Sequence, residues 1–128
     1  MTTETQRRLT IGLGVLSLIL LALAVWLFAD SAMLHFRVVM ADGDTDIHAQ
    51  MVEDARATKD PMRAAQCLSY LVNYYPSGSK QVAGSKLDRV VERCRRSSAL
   101  AIIAHLRVIT GNDLGDKPEP WIEKFAEK

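Results

Sequence analysis

The sequence predicts an all-α protein, with one N-terminal transmembrane helix followed by a small bundle of about four helices. Three observations predict it. Leu9–Ala29 is an uncharged apolar run as long as a bilayer core is thick. Beyond Asp44, apolar residues recur at helical spacing between residues that start and stop helices. The one stretch with strand-like alternation, Leu34–Met40, has no second strand to pair with.

As a helix rising about 1.5 Å per residue, Leu9–Ala29 is about 31 Å long. Its polar side chains are Thr10 and Ser17, whose hydroxyls can bond back to helix carbonyls. Trp26 and Phe28 sit near the far end, where amphipathic rings favour the headgroup level. Arg7 and Arg8 precede the run, whereas Asp30, Asp42, Asp44 and Asp46 follow it with Arg37 as the only fixed cation among them. By the positive-inside tendency, residues 1–8 are a cytoplasmic tail, 9–29 a transmembrane helix, 30–43 a juxtamembrane connector and 44–128 an exported α-helical domain. A cleaved signal peptide is the competing reading, since Ala29 and Ser31 are spaced like a small-residue cleavage site, but the apolar run exceeds a signal peptide's usual core. No cysteine follows the run to carry a lipid. Thr10, Gly14 and Ser17 share a face of small residues that admits close approach of a second copy, so a homo-oligomer is allowed.

Within 30–43, a helical continuation or an extended connector is favoured over a strand. Asp42–Asp46, DGDTD, reads as a turn and helix start, with Asp44 as the cap. Ile47, Met51 and Ala55 then mark an amphipathic helix to about Ala57. Asp60-Pro61 opens the next helix, with Ala64, Ala65, Leu68, Leu71, Val72 and Tyr75 on one arc, and Pro76 stops it. Pro76–Gly84 is a loop. Ser85-Lys86-Leu87-Asp88 is a capping-box-like start for the longest soluble helix, which ends at Gly111. Leu87, Val90, Val91, Cys94, Ser98, Ala101, Ile102, His105, Val108 and Ile109 form its apolar stripe, and Ala99, Ile103 and Leu106 widen it. A last short helix from Pro118 presents Trp121, Ile122 and Phe125 to the core.

The 128-residue chain carries a formal net charge of +1. The pair Arg7-Arg8 against Glu4 accounts for it, so the part beyond the span is neutral and is not drawn to nucleic acid by bulk electrostatics. About 99 residues follow the span, enough for one small domain. Asp42, Asp44, Asp46 and Glu53 are spaced like oxygen ligands of a calcium loop, yet Ile47 stands where such a loop needs glycine, so an acidic helix start is the better account. His105 lies in the apolar stripe without a partner at catalytic or metal-binding spacing and reads as a buried, hydrogen-bonded core histidine. His35 and His48 are isolated and carry no assignment. Cys67 and Cys94 can meet in a disulfide if their helices pack antiparallel, and two separate thiols fit equally well. Arg89, Arg93, Arg95 and Arg96 form a basic patch able to face an anionic partner, with Arg89, Arg93 and Arg96 the better candidates, although a solvated face laced by Glu92–Arg96 explains it with fewer assumptions.

Thr110-Gly111, Asp113, Gly115-Asp116, Pro118, Trp121-Ile122, Lys124 and Phe125 resemble the closing motif of bacterial HEAT-like helical-repeat proteins. Tyr74-Tyr75-Pro76-Ser77-Gly78 and Leu87–Arg96 resemble stretches of small membrane-anchored bacterial helical proteins. The resemblance implies helical packing and protein binding, and it carries over no catalytic residue. Lys117 departs from it, standing where an acidic cap is expected, as does Pro120.

With no catalytic signature, the expected protein is a non-enzymatic, single-pass accessory subunit. Its partners are the lipid bilayer and another protein, with no cofactor, no metal and no nucleic acid. An exported enzyme or metal-binding module is the alternative, starting from Asp42–Asp46 and His105, and a cleaved soluble domain is a further one.

Overall fold

Nothing in the first 60 residues forbids a helix. The first proline is Pro61, and Gly43 in a helix interior costs only about 1 kcal/mol relative to alanine. In the computed structural model, which describes residues 3–126, helix α1 accordingly runs unbroken from Thr3 to Ala57. Residues 1–2 of the expected cytoplasmic tail and 127–128 of the expected domain lie outside the described residues. Three further helices follow: α2 (Pro61–Asn73), α3 (Lys86–Thr110) and α4 (Pro118–Phe125). The fold is all-α, with no strand among the described residues.

Two compact units divide the chain between Phe36 and Arg37. In the first, α1 is solvated by its apolar side chains on every side, from Leu9 to Phe28, and it is long and apolar enough to cross a membrane. Arg8 pairs with Glu4 at 2.9 Å, and the Thr10 hydroxyl donates to the Gln6 carbonyl at 2.9 Å. The expected continuation of the helix through 30–43 is present. The expected helix start at Asp42–Asp46 is corrected: these residues are interior to α1, and the Thr45 hydroxyl bonds back to the Asp42 carbonyl at 2.8 Å.

In the second unit, the caps act where the sequence places them. The Asp60 carboxylate accepts from the Met62 amide at 3.0 Å, and Pro61 occupies the first helical position of α2. Ser85 accepts from the Asp88 amide at 3.1 Å, and Gly111 closes α3 in the left-handed conformation, φ 67°. Helix α2 packs against α3 and α4, and α3 against α4. Ala64, Ala65, Leu68 and Leu71 of α2 meet Ala99, Ile102, Ile103 and Leu106 of α3, with Ala55 of α1 and Trp121 of α4 completing the core. Small residues let the helices approach while Trp121 fills the space between them. The expected α3 stripe is rotated, because Val90 and Val108 face solvent while Ala99, Ile103 and Leu106 are buried.

The residues of the closing motif work on one connection. Arg107 reaches Asp113 at 3.0 Å and Asp116 at 2.8 Å, and the Gly115 amide donates to Asp113 at 3.0 Å. The Trp121 indole donates to the Gly115 carbonyl at 2.9 Å, which fixes the entry of α4. Lys117 provides no side-chain cap. The Arg107 pairs are exposed at their carboxylates and contribute little on their own. Burial of Trp121 therefore dominates this end. Trp121→Ala is expected to destabilise the domain by about 3–5 kcal/mol, measured by guanidinium unfolding of the full chain in detergent. A loss below about 1 kcal/mol would contradict the packing described.

Candidate functional site

The last carbonyls of an α-helix have no intrahelical donor, and the negative end of its dipole lies there. Helix α2 ends before Pro76, and its last turn carries no basic residue. Arg95 of α3 fills this need. Its Nη1 reaches the carbonyls of Leu71 and Val72 at 3.2 Å and of Tyr74 at 2.6 Å, and its Nη2 donates to that of Tyr75 at 2.5 Å. Arg95 Nε lies 3.2 Å from Glu92 Oε1 without hydrogen-bond geometry, so that contact is one of charge alone. Tyr75 is held at φ 39°, a conformation that L-residues rarely adopt, directly before a proline.

The segment after Pro76 folds back onto Asp88. Its carboxylate accepts from the Ser77 hydroxyl at 2.6 Å, the Gly84 amide at 2.9 Å and the Gly78 amide at 3.3 Å. These bonds, the Ser77 hydroxyl first and then the Gly84 amide, hold Asp88 below the usual carboxylate range against the opposing effect of burial. Gly78 at φ 83° makes the turn possible. The capping box is thus half formed: Ser85 caps Asp88, but Asp88 serves the preceding loop.

This loop carries Lys80 and Gln81 to α1. Lys80 Nζ lies 2.6 Å from Asp44 Oδ1, and Gln81 Nε2 donates to Asp44 Oδ2 at 3.3 Å. Asp44 is 1 % exposed. Burial is the largest single effect and opposes the Lys80 charge, but the hydrogen bond and charge of Asp44, joined by the Tyr74 hydroxyl, together outweigh it and hold Lys80 above its ordinary range. One helical turn on, His48 is wholly buried, and neither ring nitrogen has a hydrogen-bond partner among the described residues. Burial first, then the Arg95 charge, pushes its pKa below 6.5 against the pull of Asp44, with Lys80 adding to the depression. His48 is therefore neutral in the folded protein at pH 7.

On the outer side of the same turn, Tyr70 and Tyr74 stack at 5.3 Å, and Tyr75 meets Tyr74 edge-on at 4.7 Å and 87°. Lys80 lies 4.9 Å from the Tyr74 ring centre and 3.9 Å from that of Tyr75, bracing both. Together with Gln66, Ser69, Asn73, Pro76, Ile122 and Ala126, the tyrosines line an open groove of about 720 Å³ between α2 and α4.

Other residues singled out from the sequence fall elsewhere. Asp42 and Asp46 are exposed, and helical geometry points them away from Asp44, whose two oxygens are engaged by Lys80 and Gln81. The calcium-loop alternative is corrected accordingly: no group of three His, Cys, Asp or Glu side chains converges among the described residues. Cys67 and Cys94 are free and half-buried, so the disulfide weighed from the sequence is not formed; Cys67 instead lines the α1–α2 side with Met51 and Asp54. Burial first, then Asp54, pushes the Cys67 thiol up, which makes it a poor nucleophile. Arg89, Arg93 and Arg96 are exposed, and Arg89 donates to the Gly84 carbonyl at 2.6 Å. Arg95 leaves the basic patch altogether, as its charge is buried. His105 is half-buried rather than central, with Nε2 2.8 Å from the Thr58 carbonyl. His35 is exposed. His48 and Tyr70 drew no assignment from the sequence; the i, i+4 repeat of Asp44 with His48 and of Tyr70 with Tyr74 is the signal that would have found them. No protein-family model, curated protein or solved structure matches the chain.

Two outcomes test this geometry. Arg95→Met leaves the carbonyls at the end of α2 unpaired in a buried place, and a loss of roughly 3 kcal/mol is expected in chemical unfolding. His48 binds a proton more readily unfolded than folded. Stability is thus full above about pH 6.5 and falls as pH drops below it. Thermal melts across that range are expected to show this slope in the parent and a flatter one in His48→Met. The acid loss due to Asp88 lies lower, below the ordinary carboxylate range.

Proposed function

We propose that this chain is a single-pass membrane-anchored protein whose helical domain, residues 44–128, serves as a protein-interaction or accessory subunit at the membrane. One observation carries it: in α1 the apolar side chains from Leu9 to Phe28 are at least half exposed on all sides, with Phe28 at 78 %. Apolar surface of that length and extent is stable in hydrocarbon and costly in water. The charges at Arg7 and Arg8 favour a cytoplasmic N-terminus and an extracytoplasmic domain. A non-enzymatic role is supported by the use of the buried polar groups. Asp44, Lys80, Asp88 and Arg95 spend their bonds on holding helices and loop together, which leaves them no free geometry for acid–base work.

The test is retention and topology. The full chain, expressed with Cys67 and Cys94 replaced by alanine and Ser79→Cys added in the exposed loop, is expected to resist alkaline extraction from membranes. Its new thiol should react with an impermeant maleimide in intact cells, and its N-terminal residues should be intact by mass spectrometry. A soluble product beginning near Ser31 would show that the run is a signal peptide. A thiol labelled only after lysis would reverse the orientation.

A further inference from the structure

Among the described residues, the groove between α2 and α4 bears no charged side chain on its walls, in a chain that is 24 % charged. Its chemistry is phenolic and amidic. Tyr70 and Tyr75 are each 50 % exposed, and the ring planes of Tyr74 and Tyr75 stand nearly perpendicular, forming a corner. The chain maintains this corner at a cost, since Tyr75 keeps a left-handed backbone before Pro76 and is held there by Arg95 from behind. Backbone strain of this kind persists where the surrounding structure over-determines it, and it concentrates at sites of recognition. Lys80 braces the two rings and is not among the residues that line the groove.

At Asn73 and Ile122 the groove adjoins a smaller depression lined by Glu119 and Glu123, both exposed and one turn apart on α4. Its occupant is therefore uncharged over the tyrosines and cationic at one end. The two exposed carboxylates disfavour phosphate-bearing and acidic partners at that end. A partner helix would need an aliphatic lane, whereas the described lining offers only Ile122, Ala126 and the Pro76 ring as aliphatic walls. An extended chain in the polyproline II conformation fits. Its carbonyls are all free to accept hydrogen bonds, and its pyrrolidine rings lie flat on aromatic faces. Tyrosine hydroxyls and the Gln66 amide can supply the donors.

The geometry points to this groove as a docking site for a proline-rich segment of a partner protein carrying lysine or arginine at one end. Tyr70 and Tyr75, the two half-exposed rings, receive the prolines with Tyr74 packed between them, and Glu119 and Glu123 receive the basic flank. This names the partner chemistry for the interaction role proposed above and rests on that reading.

The experiment is a fluorescence-anisotropy titration of the full chain in detergent micelles with labelled oligoproline of about ten residues, plain or lysine-tailed, and a glycine–serine peptide of equal length. Both proline peptides are expected to bind, the lysine-tailed one more tightly, and the glycine–serine control not. Tyr70→Ala, at a half-exposed ring outside the hydrophobic core, should weaken both by about tenfold while the domain still unfolds cooperatively. Gln66→Arg, which places a cation in the groove, should repel the lysine-tailed peptide most. The pair Glu119→Gln and Glu123→Gln should abolish the preference for the lysine tail and its salt dependence, leaving the plain peptide's affinity intact. Equal binding of the glycine–serine peptide, no binding by the folded parent, or affinity unchanged in Tyr70→Ala overturns the inference. So does a dimer of the parent that Tyr70→Ala dissolves, because the occupant is then a second copy. Membrane retention without oligoproline binding overturns this inference and leaves the anchor standing; oligoproline binding by a soluble, cleaved chain does the reverse.

Discussion

A helix that ends in a buried place must find donors for its last carbonyls, and α2 finds them in one guanidinium. Arg95 closes four carbonyls from Leu71 to Tyr75, a task its planar fork suits and a lysine's single point charge does not. Much else depends on that closure. It sets the backbone of Tyr75, and hence the corner between the Tyr74 and Tyr75 rings. It also aims the segment after Pro76 at Asp88, whose carboxylate gathers Ser77, Gly78 and Gly84 into a tight loop. The loop in turn delivers Lys80 and Gln81 to Asp44. The outer groove and the buried network are two sides of the same turn.

Charge balance explains why the network tolerates burial. Lys80 and Asp44 cancel within hydrogen-bond distance, and Arg95 is met by helix-end carbonyls and by Glu92. His48 is the remaining titratable group, and its neutral ring adds no third cation beside Arg95 and Lys80. The hydrophobic core is built from alanine, leucine and isoleucine contacts around Trp121, and Leu71 joins it to the network through its carbonyl bond to Arg95.

Much of the fold was legible in the sequence because caps and apolar periodicity are local signals. Asp60-Pro61, Ser85, Gly111 and Pro118 mark helix ends that stand where the residues imply. The reading slipped at Asp42–Asp46, where three aspartates and a glycine look like a turn, yet α1 passes straight through. Residues 36 positions away decide the matter, since Lys80 reaches Asp44 from a loop that local pattern cannot place. The same holds for α3. The expected stripe held Val90 and Val108 as well as Val91 and Ile102, but its neighbours select the arc through Val91, Arg95, Ile102 and Leu106 and leave Val90 and Val108 exposed.

By itself the sequence determined the apolar run from Leu9 to Ala29, the all-α class, and most helix boundaries. Length without charge, 3.6-residue periodicity and capping chemistry are properties of neighbouring residues. Only the tertiary structure decided which polar residues are buried. Arg95 looked like surface, Asp44 like a cap, and His48 carried no assignment. Their burial follows from which helix end or loop lies against them, and only long-range packing settles that. The tyrosine groove belongs to the second kind: its rings come from one short stretch, but its opposite wall is Ile122 of α4 and Ala126 just beyond that helix.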